Sequence, residues 1–479
     1  MATAKQLGIK FLKISRALTI IFCFGVAYNI TPFLRGPAPY PPEWQWSYEF
    51  VNTLDRIWLP IVIAFLGICL FIFIEGKLKA KKHISFFTPF TIALFTLLLQ
   101  ISLLYFNRAG VGVLVERVIN PGISGYFTTA LSVKSVNYFL ATYQIAVAHF
   151  PMRAADHPPF AVLFFSLILF FCQKLSFLFP YVTKITLHHK DMAIIWNHLL
   201  PFQKLAALFS AILIPVLSAS VCIPLYFFTK IFANEKIAVR ASFLYSFFPA
   251  VSFFLPLSDV FLGLFVSLAF LFLFLGEKKK NLLYIFFSGL SIITGTFFSA
   301  SIVVPLGMLF LLILLSNQAR RIKITTSIVL LLGISILPIF LALFFHFNTI
   351  SVFIEITKLQ AKRSYLPWVF YDLYDFFVFS GIPMLIASFF VIKDVLQTRK
   401  ISQNILAVSF FSVLFLLDIS GFSRAESGRI WMPFMPVLAT IVSKFLTKNY
   451  KVSSRFFAGL LILQCVQILV MQEFWVTLW

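Results

Sequence analysis

Of the 479 residues, 60% are apolar and only 12% are charged, and the mean hydropathy is +0.96. Soluble domains run nearer about 45–50% apolar and about 25% charged, so a soluble enzyme, a porin-type barrel and a disordered chain are all excluded. The balance of 39 Lys+Arg against 17 Asp+Glu, a formal charge of +22, resides mostly in short loops, where it marks a cytoplasmic face meeting anionic lipid; no basic and aromatic groove pattern points to nucleic acid.

In chain order, Lys5, Lys10, Lys13 and Arg16 precede an apolar run from Ala17 to Ile30 with no small-residue cleavage site after it. It reads as an uncleaved first span with its N-terminus inside. The Pro-rich segment from Arg35 to Trp46 then lies outside, and a span from about Trp58 to Ile74 returns to the basic loop of Lys77, Lys79, Lys81 and Lys82. A third span covers about Phe86 to Phe106. Apolar density falls from Asn107 to Pro159, and within that stretch Tyr126 to Phe150 has the helical spacing of amphipathic helices lying in the interface. Further apolar windows follow to Met471, interrupted by a second long outer segment, Phe347 to Phe379.

At roughly 20 apolar residues per crossing, the windows predict an all-α polytopic membrane protein of about eleven to twelve transmembrane helices. The chain forms one membrane-embedded domain, 1–479, with outer loops at about 34–57, 107–159 and 347–379. One parity is open: three windows separate His157 from Asp259, whereas an even number is needed if both face outside. Either the segment after Pro159 does not fully cross, or one window is interfacial; the cluster Lys184, His188, His189, Lys190 and Asp191 does not decide it. The five cysteines lie in apolar windows without CxxC spacing and read as packing residues.

On this topology most acids fall at the outer side, which argues against a proton or ion relay through the bilayer. Asp156 stands in Ala155-Asp156-His157-Pro158-Pro159, where two prolines lack amide donors and hold the preceding residue extended. The same residues also read as a helix start, a cap followed by proline in the first turn.

Asp156-His157-Pro158-Pro159 resembles the D-H-P-P element of the GT-C membrane glycosyltransferases, a family that includes protein O-mannosyltransferases and lipid A aminoarabinose transferases. Gly125-Tyr126-Phe127-Thr128-Thr129-Ala130 resembles the approach to that element in bacterial members. Ser258-Asp259, after Pro249 and Pro256, resembles their outer element preceding a span, and Arg424-Ala425-Glu426-Ser427-Gly428-Arg429-Ile430-Trp431-Met432-Pro433 their final stretch. Many members carry an Asp, or an Asp-Glu pair, shortly after the first span; here only Glu43, Glu49 and Asp55 stand there.

The resemblance implies transfer of a sugar from a polyprenyl-phosphate donor to a glycan, lipid or protein acceptor on the outer face of the cytoplasmic membrane. That reaction needs a carboxylate to take the acceptor proton and a cationic partner for the departing phosphate. Glu43 and Asp156 are the candidate bases, and Glu43, Asp156 and His157 are expected to share one outward cavity. His157, Asp259, Arg424 and Arg429 are candidate substrate-binding residues, the arginines for the phosphate, and Trp44 and Trp46 are candidate sugar-stacking rings. Lys358, Lys362 and Arg363 form a further outer basic group, followed by Tyr365, Trp368, Tyr371 and Tyr374 as a candidate acceptor cleft or interfacial belt. The sequence fixes no cofactor; His157 with Asp156 or Glu43 leaves a divalent metal open, without HExxH or a spaced Cys/His set to support it. A transporter or flippase of lipid-linked glycans, and a polymerase joining them, are the competing readings.

Overall fold

A computed structural model describes residues 4–41, 43–50, 52–81, 84–107, 110–185, 187, 190–359, 363–399 and 401–476. Pro42, Lys82, His188, His189 and Lys362 therefore lie outside the described residues. The chain is almost wholly helical, as expected for backbone that must satisfy its own hydrogen bonds in lipid.

Helix α1 (Ala4–Ala27) places Gly8 against Tyr450 and Val452. α2 (Trp58–Lys79) and α3 (Thr88–Phe106) follow, then three short helices, α4 (Val113–Ile119), α5 (Tyr126–Ser132) and α6 (Val136–Ala146), in the long segment before Pro159. α7 (Phe160–Gln173) bends by 83° into the stretch ending with α8 (Phe179–Val182), and α9 (Lys190–His198) leads to α10 (Pro201–Ser220) and α11 (Cys222–Phe232). Next come α12 (Glu235–Ser246), α13 (Pro249–Phe253), α14 (Asp259–Lys279), α15 (Leu282–Thr296), α16 (Val303–Leu315), α17 (Arg320–Phe345) and α18 (Thr349–Leu359). α19 (Tyr365–Ser380) turns by 114° into α20 (Ile382–Thr398), and α21 (Ile405–Ser420), α22 (Ser427–Ile430), α23 (Met435–Lys448) and α24 (Ser454–Phe474) complete the bundle.

Among the described residues six helices are long and apolar enough to cross a membrane, or eight if each bent pair is one span; three apolar helices are shorter. This is an all-α, multi-span membrane protein, although helix length and composition establish fewer crossings than the eleven to twelve expected from apolar windows. The difference lies in apolar segments too short or too broken to qualify by length: α15, α16 and α21, and the stretch of α12 and α13, which a turn divides. α1, with Lys10, Lys13 and Arg16 in its first half, is not among the six. The rim is readable from burial: only 17% of the apolar window of α17 and 28% of that of α2 is buried, so these helices turn most of their apolar surface outward.

The two ends of the bundle differ. One is basic: Lys77 and Lys79 end α2, Lys278 and Lys279 end α14, and Lys448 ends α23. A buried ion pair ties this end together, with Arg240 of α12 forked onto Glu75 of α2; Ser454 Oγ also donates to Glu75 Oε2 (2.5 Å), and Arg240 donates to Thr447 Oγ1 (3.0 Å). The opposite end gathers the loop after α1, α4 to α9, α18, α19 and α22. There the chain's only strands among the described residues, β1 (Ser47–Tyr48) and β2 (Trp475–Val476), pair antiparallel, Tyr48 opposite Trp475. Glu473 accepts from the amide and hydroxyl of Thr53 (3.2 and 2.5 Å), so the first loop is stitched to the last helix.

The parity question has a structural answer. Arg117 of α4 donates to the carbonyls of Phe253 and Leu255 (3.2 and 2.5 Å), at the end of the bundle opposite the basic one, and α9 packs on α4. The stretch from α7 to α9 therefore starts and finishes at the same end. α10 and α11 run to the basic end, where Lys230 pairs with Glu235 (2.5 Å), and α12 and α13 return to Asp259.

Candidate functional site

At the end opposite the lysines, a cavity of about 540 Å3 opens between the segment before Pro159, the loop before α16, Arg363 and the loop between α21 and α22. Arg153, Asp156, His157, Arg363, Arg424, Glu426 and Arg429 all line it, with Ser299, Ser301 and Thr357. Residues more than 270 positions apart in sequence thus meet at one wall, as in the 2.9 Å pair of Arg153 and Glu426.

The D-H-P-P element is built from its neighbours. Gly125 has φ +71, and a Cβ there would meet the Pro151 carbonyl oxygen at 2.4 Å, so glycine lets this turn close on the chain entering Arg153. Tyr143 Oη donates to the His157 carbonyl (2.6 Å), and the Tyr126 ring stands edge-on to the imidazole at 5.7 Å. His157 Nδ1 lies 2.7 Å from Asp156 Oδ1, with the Asp156 side chain 35% exposed toward the cavity and that of His157 13%. After Pro159 the first amide of α7, Phe160 N, donates to the Phe297 carbonyl (3.0 Å). The motif leads directly into a helix, but Pro159 is the cap residue, neither Asp156 nor His157 caps it and no proline lies in its first turn; the Asp156 carboxylate is left to face the cavity.

The final stretch is held in a costly conformation. Ala425 and Glu426 both have positive φ, +71 and +55, where side-chain-bearing residues are strained by about 1–3 kcal/mol each. α19 supplies the offset: Asp372 Oδ1 accepts the Ala425 amide (2.8 Å), Asp375 Oδ2 the Gly428 amide (2.7 Å), and Ser427 Oγ donates to the Asp372 carbonyl (2.6 Å). A Cβ on Gly428 would strike the Phe379 ring at 2.3 Å. The turn so fixed aims the Glu426 carboxylate at Arg429 (2.7 Å) and Arg153, with Arg363 at 4.0 Å.

Burial by itself would raise the Glu426 carboxyl; Arg153, Arg429 and Arg363 overcome it and hold it at about 2. Because an unfolded glutamate titrates near about 4.3, this pairing stabilises the fold fully above that pH and is lost as pH falls through about 2. Thermal unfolding of the detergent-solubilised chain should accordingly weaken below about pH 4.5, and Glu426→Gln should flatten that acid limb. An unchanged acid limb in the variant would show that Glu426 carries no such linkage.

Several expected roles change. Arg429 is 3% exposed and its fork is already engaged, Nη1 with Asp259 (2.9 Å) and Nη2 and Nε with Glu426; it is a charge-balanced centre of the wall rather than a guanidinium presented to substrate. Asp259 is buried and serves as its counter-ion, so substrate does not reach it directly. Trp46 is 4% exposed, its indole donating to Asp375 Oδ1 (2.8 Å); a ring buried in this way cannot stack on a sugar. Trp44 packs against Trp46 and Trp368, and Trp368 is itself buried. Glu43 does not line the cavity with Asp156 and His157: its carboxylate accepts the Trp368 indole N–H and the Ser364 amide (3.2 Å). Arg424 does line it, its guanidinium donating to the carbonyls of Arg363 (2.5 Å) and Gly421 (3.1 Å) over the Tyr365 ring.

Arg153, Asp372 and Asp375 were not singled out from the sequence. An arginine three residues before the D-H-P-P motif, and two aspartates at i and i+3 on one face of a helix, were the available signals. For a metal, Asp156 and His157 offer two donors; among the described residues no three His, Cys, Asp or Glu side chains are grouped to hold an ion. Four of the five cysteines are buried and Cys69 is exposed on α2.

No known protein family, curated protein or solved structure matches the chain.

Proposed function

We propose that the chain is a GT-C-like membrane glycosyltransferase that moves a sugar from a polyprenyl-phosphate donor to an acceptor hydroxyl at this cavity. One observation carries the reading: a carboxylate without an arginine partner, Asp156 with His157, faces the same cavity as Arg363 and Arg424. The volume lies within the roughly 300–1,000 Å3 range of small-molecule sites. In the reaction the acceptor oxygen bonds to the anomeric carbon as that carbon's bond to the carrier phosphate breaks. The acceptor proton passes to the Asp156 carboxylate, and the released phosphate keeps the electron pair, stabilised by the arginines. The arrangement of lysines at the opposite end supports a cytoplasmic-membrane orientation with the N-terminus inside and the cavity outside.

A transporter or flippase of lipid-linked glycans is the second reading, favoured by the two helix pairs broken by 83° and 114°. Purified chain in nanodiscs, given a panel of radiolabelled polyprenyl-phosphate sugars, separates them. Cleavage of one donor, read as free polyprenyl phosphate with the sugar on water or an acceptor, is the expected result. Intact donor that only changes leaflet would establish the transporter instead, and elongation of one lipid-linked glycan by another would make the chain a polymerase.

A further inference from the structure

Glu43 was expected to be a base, yet its contacts point elsewhere. Its two oxygens fix the amide of Ser364 and the indole of Trp368, the residues that start and follow the first turn of α19. Trp44, next to it, lies nearly parallel to Trp368 at 6.0 Å and 26°. The Arg363 guanidinium carbon is 5.8 Å from the Trp44 ring and 5.9 Å from the Trp368 ring, within cation–π range of both. Arg363 then reaches the cavity wall, and its backbone carbonyl receives Arg424 Nη1.

From this chain of contacts we infer that Glu43 is a positioning residue: by locking Ser364 and Trp368 it fixes the stacked Trp44–Trp368 pair beside which the Arg363 guanidinium lies, and through Arg363 it sets Arg424, so that both cations face a phosphate in the cavity. The inference rests on the proposed phosphate-binding role of that cavity. A carboxylate serving as base would need an unobstructed approach to the acceptor; this one is spent on aligning a neighbour. The loop after α1 and the segment before α19 are thereby joined into one unit, although 321 positions separate Glu43 from Ser364.

Two readouts on the full chain in detergent test it, the first independent of any activity. Phenylglyoxal modification of Arg363, followed by mass spectrometry, should run about threefold faster or more in Glu43→Leu and faster in Trp368→Phe, which keeps a ring but loses the indole donor, with Arg153 labelling and the thermal midpoint unchanged. Wild-type labelling of Arg363 in Glu43→Leu would overturn the proposal. Second, farnesyl phosphate should bind about tenfold more weakly to Glu43→Leu and to Arg363→Lys, and no more weakly to the double variant than to the worse single one. Additive losses would also overturn it, because Glu43 would then act apart from Arg363. If farnesyl phosphate fails to bind the wild type, the phosphate reading of the cavity falls, while the labelling experiment still decides whether Glu43 holds Arg363.

Discussion

Asp156→Asn should lower donor cleavage by about 10²–10⁴-fold while farnesyl phosphate affinity stays within about twofold of wild type. Asparagine keeps the size of the side chain and an oxygen facing His157 Nδ1, so the loss isolates the proton acceptor. Of the carboxylates at this wall, Glu426 and Asp259 are engaged by arginines, and only Asp156 is both open to the cavity and unpaired with a guanidinium. His157→Gln, which keeps a polar partner at that position, should cost less than Asp156→Asn. If Asp156→Asn cleaves donor at the wild-type rate and remains folded, the motif is only the helix start that its prolines also permit, and the base lies elsewhere.

The largest effect on stability is expected at Arg429. Replacing it by Met leaves Asp259 and Glu426 with a buried charge deficit, a change that typically costs about 3–5 kcal/mol when one partner of a buried pair is removed. Arg429→Lys should fall between the two, since a point charge cannot fork onto Glu426 while reaching Asp259. Thermal unfolding and monodispersity in detergent measure this, and Arg429→Met combined with Asp259→Asn should recover part of the loss by removing one unpaired charge. A midpoint for Arg429→Met equal to wild type would mean that the pair is solvated and contributes nothing to the fold.

That centre also shows how residues that read as substrate-binding in the sequence take other roles in the fold. In the sequence Arg429 reads as a phosphate ligand, yet in the fold it is engaged by Asp259 and Glu426, and the less buried cations lining the cavity are Arg363 and Arg424. The strained Ala425 and Glu426 make the same point from the backbone: two left-handed residues persist because Asp372 and Asp375 accept the amides around them. Strain held in place by buried acceptors on another helix is a mark of a wall that has to stay in one shape.

Apolar periodicity, the basic loops and the prolines before Phe160 determine by themselves that the chain is helical, lies in a membrane and begins a helix after Pro159, because each depends on residues within a few turns of one another. The amphipathic spacing after Tyr126 likewise marks α5 and α6. Span number was less legible, since an apolar run does not reveal where it bends, and α7 and α19 both turn sharply within such runs. The sorting of the charged residues belonged to the tertiary structure alone. Glu43 and Asp156 look alike as loop acids beside prolines, but one meets Trp368 and the other meets open space beside His157. Whether a carboxylate is spent on an indole, on an arginine or on the cavity depends on partners hundreds of residues away, and local sequence carries no record of which partner arrives.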